Sequence, residues 1–321
     1  MDFFTPYYDV TQLVEQYQGS KLEEIFQNQQ VIKNKMGQFL EFIWEEEKIP
    51  FELNLTSTKD NILRNLKTVF YVGEFTEKKL IRRGISSLYD LRLNLKYHKS
   101  ANRLIRSIKN KDYIALCENK YINDIDTAFC FKVEDLLFLD IETLGLYDSP
   151  IIILGIGFYV KNKFNIRLLF ARELEEEIAI LEHLRKEILP NFKCFISYNG
   201  KTFDIPYIAN RFLYYFDENP MISENEIPYE NVNTKYHHID LYHNCRRKFK
   251  EMFFNYTLTN MEKELLNLER KNHLPSNMVG TCYRKYLKDP ERYIGLIKEC
   301  IDHNYYDIYS LPLILRKILQ D

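Results

Sequence analysis

The chain has 321 residues, 45% apolar and 28% charged, with a formal net charge of −2. That balance supports a proper core and excludes disorder as the main state, and only 10 Gly and 10 Pro exclude collagen-like and low-complexity chains. Six cysteines without a CxxC or zinc-ligand spacing, an N-terminus (Met1-Asp-Phe-Phe-Thr5) unlike a signal peptide, and no apolar run near the ~20 residues of a membrane helix give the expectation of a cytoplasmic protein with reduced thiols and no membrane span.

In chain order, residues 1–58 read as a helical N-terminal region, with Leu22-Glu-Glu-Ile-Phe and Phe39-Leu-Glu-Phe-Ile-Trp44 at helical spacing and a break at Ile49-Pro50. Residues 59–130 read as a basic helical segment plus linker. Between Lys59 and Lys111, 14 basic residues face 4 acidic ones, so that stretch carries +10 and the remainder −12. Such an island is the footprint of phosphate contact or a solvated helical face, and charge alone does not separate the two. Within it Thr76 is placed as an N-cap, Gly84 as a helix stop, and Ser86 or Ser87 as the cap of a second short helix from Leu88. The pattern resembles a helix-hairpin-helix element. The usual turn has two close glycines, whereas here Gly73 is followed by Glu74 and Phe75. A phosphate grip and a purely structural module both stay open.

From about Phe131 the texture becomes alternating. Leu136–Ile141, Ile151–Val160 and Phe164–Ala171 read as strands, the last two joined by a turn at Lys161-Asn-Lys. A helix over Leu174–Leu189, a strand over Cys194–Tyr198, a helix over Phe203–Phe216 and a strand over His238–Leu241 precede a helical C-terminal third. This order over 131–321 is that of an α/β, ribonuclease-H-like mixed sheet flanked by helices, although periodicity alone also admits other α/β folds.

Chemistry enters with the acids. Asp140 and Glu142 end the first core strand two residues apart, so alternation turns both to one face. A buried carboxylate pair needs a partner, and two on one face invite a cation. Asp204 lies in Ser197-Tyr-Asn-Gly-Lys-Thr-Phe-Asp204, where a strand passes through a glycine turn into a helix. Asp307 follows His303 by one helical turn. Taken singly, each has a plain structural reading as a cap or a surface pair.

Taken together, FLDIET, SYNGKTFDIP and HNYYDIYSL occur in the order of the DEDD 3′→5′ exonuclease superfamily. HHIDLYH around Asp240, the LPSNMVG stretch and the closing HNxxDxxSL are most similar to the YprB-type ribonuclease-H-like nucleases. The resemblance implies that Asp140, Glu142, Asp204 and Asp307 are metal ligands and, with His303, the catalytic set. The best-known branches carry Tyr four or His five residues before the last Asp; here those positions are His303 and Asp302. Physics leads the same way, since like charges ~4 Å apart repel by roughly 4 kcal/mol at an effective dielectric near 20. All-oxygen donors suit two Mg²⁺ or Mn²⁺ ions rather than zinc. Asn199, Tyr198, Lys201 and Phe203 are expected on the substrate, Asp240 as a buried support. His237, His238 and His243 around Asp240 leave a zinc reading open, though the spacing does not suit one helical face. Arg246, Arg247, Lys248 and Lys250 either line the nucleic-acid path or form a solvated face. The expected activity is metal-dependent 3′→5′ hydrolysis of single-stranded DNA or RNA, DNA by preference, in repair alongside a helicase. An inactive nucleic-acid adaptor and a structure-specific endonuclease are the alternatives.

Overall fold

Aromatic and β-branched runs separated by short turns build the sheet. In the computed structural model, which describes residues 11–221, 235–270 and 274–320, the strands are β1 (Gln29–Asn34), β2 (Gly37–Glu46), β3 (Leu136–Thr143), β4 (Ile151–Val160), β5 (Lys163–Phe170), β6 (Cys194–Ser197) and β7 (His237–Asp240). They form one sheet in the order β1-β2-β5-β4-β3-β6-β7. Pairings from β1 through β3 are antiparallel, and β6 and β7 are added parallel. Lys161 and Asn162, at φ 48° and 66°, form the two-residue turn between β4 and β5, and this left-handed backbone conformation at both positions matches the right-handed twist of the flanking strands. Helices Asp204–Phe216 and Leu241–Lys248 follow β6 and β7, and the long helix Pro290–Leu319 closes the chain. The strand and helix order expected beyond Phe131 is the one observed.

The N-terminal region needs a correction. Helices are present at Thr11–Tyr17, Leu22–Ile25 and Thr58–Arg64, but Phe39–Trp44 is strand, not helix. It belongs to the hairpin β1–β2, and β2 pairs with β5, Leu40 opposite Phe170 and Phe42 opposite Leu168. The cause is burial on both sheet faces: Phe39, Leu40 and Phe42 are all buried, so the apolar run loses the alternation that marks a half-exposed strand. Even Glu41, the polar residue among them, is buried and held by Gln30 at 2.6 Å and Arg167 at 3.4 Å.

One sheet face packs Leu136, Phe138, Ile166 and Leu168 against Ile297, Ile301, Ile308 and Leu311 of the C-terminal helix. The other packs Leu137, Leu139 and Ile141 against Ile180, Leu184, Ile208 and Phe212. A separate core of Ile62, Leu66, Val72, Leu80, Leu88, Ile105 and Leu116 organises the basic segment. There Gly73, not Thr76, caps helix Glu74–Ile81, so Thr76 lies inside it. Gly84 at φ 80° follows its end, and Ser87 caps Leu88–Leu91 in a reciprocal pairing with Asp90. Among the described residues no helix is long and apolar enough to cross a membrane.

Candidate metal centre

Parity along β3 aims its two acids. Leu136 and Phe138 face the C-terminal helix while Leu137, Leu139 and Ile141 face away, so Asp140 and Glu142 also turn toward that helix. A register shift between Glu142 and Thr143 ends the regular β3–β4 ladder beside the second acid. From the helix, His303, Asn304 and Asp307 present one buried stripe to the sheet. Asp204 opens its helix after the Asn199-Gly200 turn, and its Oδ1 accepts the Ile141 N–H at 3.0 Å, which ties the third element to β3. Gly200 is required there, because a Cβ would stand 2.4 Å from Ser197 Oγ and 3.1 Å from Asp204 Oδ2.

These elements bring the four sequence-flagged acids and His303 into one electrostatic cluster. Burial, then the charges of Asp307, Asp204 and Glu142, push the Asp140 carboxyl well above its ordinary range. Burial followed by Asp307 and Asp204 does the same to Glu142. Asp204 is raised to about 7, chiefly by burial, although the Ile141 N–H opposes the shift. His303 Nε2 stands 3.6 Å from Glu142 Oε1, 3.4 Å from Asp307 Oδ2 and 3.1 Å from Ser276 Oγ. Burial lowers the His303 pKa despite the opposing pull of Asp307, which favours a neutral imidazole near pH 7. Glu142, His303 and Asp307 each offer a ligand atom, all within 4.8 Å of one another.

A hard cation fits this donor set. Asp307 Oδ1 does accept from Arg270 Nη2 at 2.6 Å, but the same guanidinium is gripped by both oxygens of buried Glu262. Glu262 therefore already balances the charge of Arg270. Among the described residues no other Lys or Arg makes an ion pair with Asp140, Glu142, Asp204 or Asp307. Uncompensated carboxylates in a shared buried site either protonate or hold cations.

Several residues of the centre escaped the sequence reading. Asn304 donates its Nδ2–H to Asp140 Oδ2 at 2.7 Å, while its buried Oδ1 has no hydrogen-bond partner. Gly155, opposite Asp140 on β4, leaves the room Asn304 occupies: a Cβ there would stand 2.2 Å from Asn304 Oδ1. Arg270 and Glu262 carried no usable signal, since only tertiary packing carries them to the helix, whereas Ser276 lies in the LPSNMVG stretch already noted but was not assigned to the centre. Asn304 had one: it sits next to His303 on the stripe.

The expected substrate residues are more dispersed in role. Asn199 is exposed, at φ 65°, and its N–H donates to Asp240 Oδ1 at 2.9 Å. Lys201 pairs through Nζ with Asp124, and its backbone N–H donates to Asp240 Oδ2 at 3.1 Å. The Tyr198 hydroxyl donates to the Tyr256 carbonyl and its ring meets Tyr242, while half-buried Phe203 packs on Tyr207. Fully buried Asp240 thus clamps the turn that leads into Asp204. The histidines around it do not converge: His237 Nε2 is 2.9 Å from Thr127 Oγ1, His238 Nε2 is 2.7 Å from Ser197 Oγ, and among the described residues no metal-competent group includes them. Arg247 is bound to Asp124 and Lys248 to the carbonyl of Ile318.

Comparison with known proteins agrees with this architecture. The family model described as RNase_H superfamily matches residues 137–319, more than half of the chain. The uncharacterized protein YprB of Bacillus subtilis (strain 168) is 25% identical over 204 residues, 63% of this chain and 46% of its own. The chain thus spans about half the length of that curated relative. Sheet order and family match agree, and the chain belongs to the RNase H superfamily of nucleases.

Proposed function

We propose that the protein is a divalent-cation-dependent 3′→5′ exonuclease acting on single-stranded nucleic acid, DNA by preference. The observation that carries this reading is the electrostatic convergence of Asp140, Glu142, Asp204 and Asp307, from three distant chain segments, with buried His303 beside Glu142 and Asp307. In this reading Asp140, Glu142, Asp204 and Asp307 are the residues that would hold two Mg²⁺ or Mn²⁺ ions. Bound ions of this kind neutralise phosphate charge and acidify water. His303 takes up the proton of the attacking water, and a neutral imidazole held so by burial suits that role. Asn304 orients Asp140 through its 2.7 Å hydrogen bond. Asn199, exposed beside the Asp240 clamp, contacts the terminal nucleotide. Tyr198, Lys201 and Phe203 shape that wall rather than stack or pair, given their existing partners. A role in DNA repair beside a helicase rests on the family resemblance.

One observation favours a second reading, a nucleic-acid adaptor without hydrolysis: the Arg270 contact on Asp307. The deciding experiment incubates purified protein with 5′-labelled single-stranded DNA and RNA in Mn²⁺, Mg²⁺ or chelator. Progressive shortening that needs a cation and stops when the 3′ end is blocked supports the exonuclease. Internal cuts despite the block indicate an endonuclease, and intact substrate in every cation indicates the adaptor.

A further inference from the structure

The basic segment holds a cavity of about 530 Å³ that lies among the loop at residues 67–73, helix His98–Asn110 and the stretch 115–121. Its rim carries Lys67, Phe70, Tyr71, Arg103, Lys120 and Tyr121. Phe70 and Tyr71 are 69% and 78% exposed, an unusual position for two adjacent large rings, and their centroids are 4.2 Å apart at 62°. They are not on a loose loop. Val69 and Val72 on either side are buried, the Val72 N–H donates to the Val69 carbonyl at 3.0 Å, and Asn119 Nδ2 donates to the Thr68 carbonyl at 2.7 Å. Tyr71 is held at φ 66°, a conformation that an aromatic residue adopts only when its surroundings impose it. The chain therefore sinks two valines and turns two rings outward on a fixed backbone.

Charge indicates what meets those rings. Lys67, Arg103 and Lys120 line the cavity against a single acid, Glu118. Among the described residues Lys67 makes one ion contact, 4.0 Å from Glu77, and Arg103 makes no ion pair, while Lys120 Nζ lies 5.1 Å over the Tyr121 ring. Fixed aromatic faces interleaved with lightly held cations are the chemistry of base stacking with phosphate neutralisation, and only unpaired strands offer base faces. We infer that this cavity is a second nucleic-acid site, in which bases of a single strand stack on Phe70 and Tyr71 while Lys67, Arg103 and Lys120 meet the flanking phosphates. The inference deepens the nuclease reading by supplying a grip on the substrate away from the metal centre, and it rests on that reading for the class of ligand.

The test measures fluorescence anisotropy of labelled oligo-dT and oligo-U with the full chain in chelator, so that no cleavage occurs. Phe70→Ala with Tyr71→Ala should weaken binding by about 10-fold to 100-fold, the scale of one to two lost stacks. Phe70→Trp should bind like wild type, and an abasic oligomer should bind wild type no better than the double variant. Arg103→Gln should lower the slope of log Kd against log salt by about 0.7, as one phosphate contact. Binding by the double variant equal to wild type, or a loss equally large on the abasic oligomer, overturns the site. The two readings fail separately. Cation-dependent cleavage with unaltered binding in the variants removes this site and keeps the nuclease, whereas a binding defect without cleavage in any cation keeps this site and removes the nuclease.

Discussion

Asp140 receives a hydrogen bond from Asn304 and repulsion from Asp307, Asp204 and Glu142, so its charge is tolerated in the fold for something other than stability. Asp140→Asn should cut cation-dependent cleavage by about 10³-fold, as the loss of several kcal/mol of charge stabilisation implies. Its melting temperature in chelator should not fall. Calorimetry with and without Mn²⁺ checks both halves: wild type gains stability from the ion, the variant does not. Cleavage surviving the change would refute the ligand role. His303 makes a different prediction. Because burial depresses its pKa, the acidic limb of the pH–rate profile should lie below pH 6.5, and His303→Gln should remove that limb while lowering the rate by about 10²-fold or more. A variant with the wild-type profile would make His303 structural only.

At the level of elements, β3, β4 and the C-terminal helix meet through a missing side chain. In Gly155→Ala the new Cβ would stand 2.2 Å from Asn304 Oδ1 and 2.9 Å from Ile308 Cγ1, neither of which has room to retreat in the packed face. The expected cost is about 1–3 kcal/mol in denaturant unfolding, with activity reduced as Asn304 leaves Asp140. Two acids then set opposite pH trends. Asp204 is raised to about 7, so its contribution is intact below pH 4 and lost as the metal-free protein is taken from pH 4 to 7. Asp124 is largely but not fully buried, yet Lys201, the Asp240 N–H and Asn244 hold it down to about 2. Its roughly 2 kcal/mol is present above pH 4 and lost between pH 4 and 2. Thermal melts in chelator should therefore show a decline toward neutrality that divalent cation reverses, and a separate acid limb that cation leaves in place. The acids of the centre were legible in three short strings, because parity and helical spacing are local. Arg270, Glu262 and Gly155 were not, because each matters only for what it meets across the fold.

For the whole molecule, the hairpin Gln29–Glu46 changes what counts as the folding unit of the ribonuclease-H-like sheet. Its second strand covers β5 and contributes Phe39, Leu40 and Phe42 to both sheet faces. A fragment of residues 131–321 holds every acid of the centre, yet it would bare a long apolar sheet edge. It should aggregate or melt far below the full chain in light-scattering and thermal assays, and a fragment of residues 22–321 should not. A soluble, fully active 131–321 fragment would show the hairpin to be dispensable.

Residue order alone determined the ribonuclease-H-like succession of strands and helices, the four acids and the basic island, since these are written in local periodicity, turn chemistry and charge. Tertiary structure decided that an N-terminal hairpin completes the sheet, that Asn304 and Gly155 fit around Asp140, and that Arg270 is shared between Glu262 and Asp307. The reason is physical: a strand buried on both faces hides its period, and an ion pair or a steric gap exists only once distant segments are packed together.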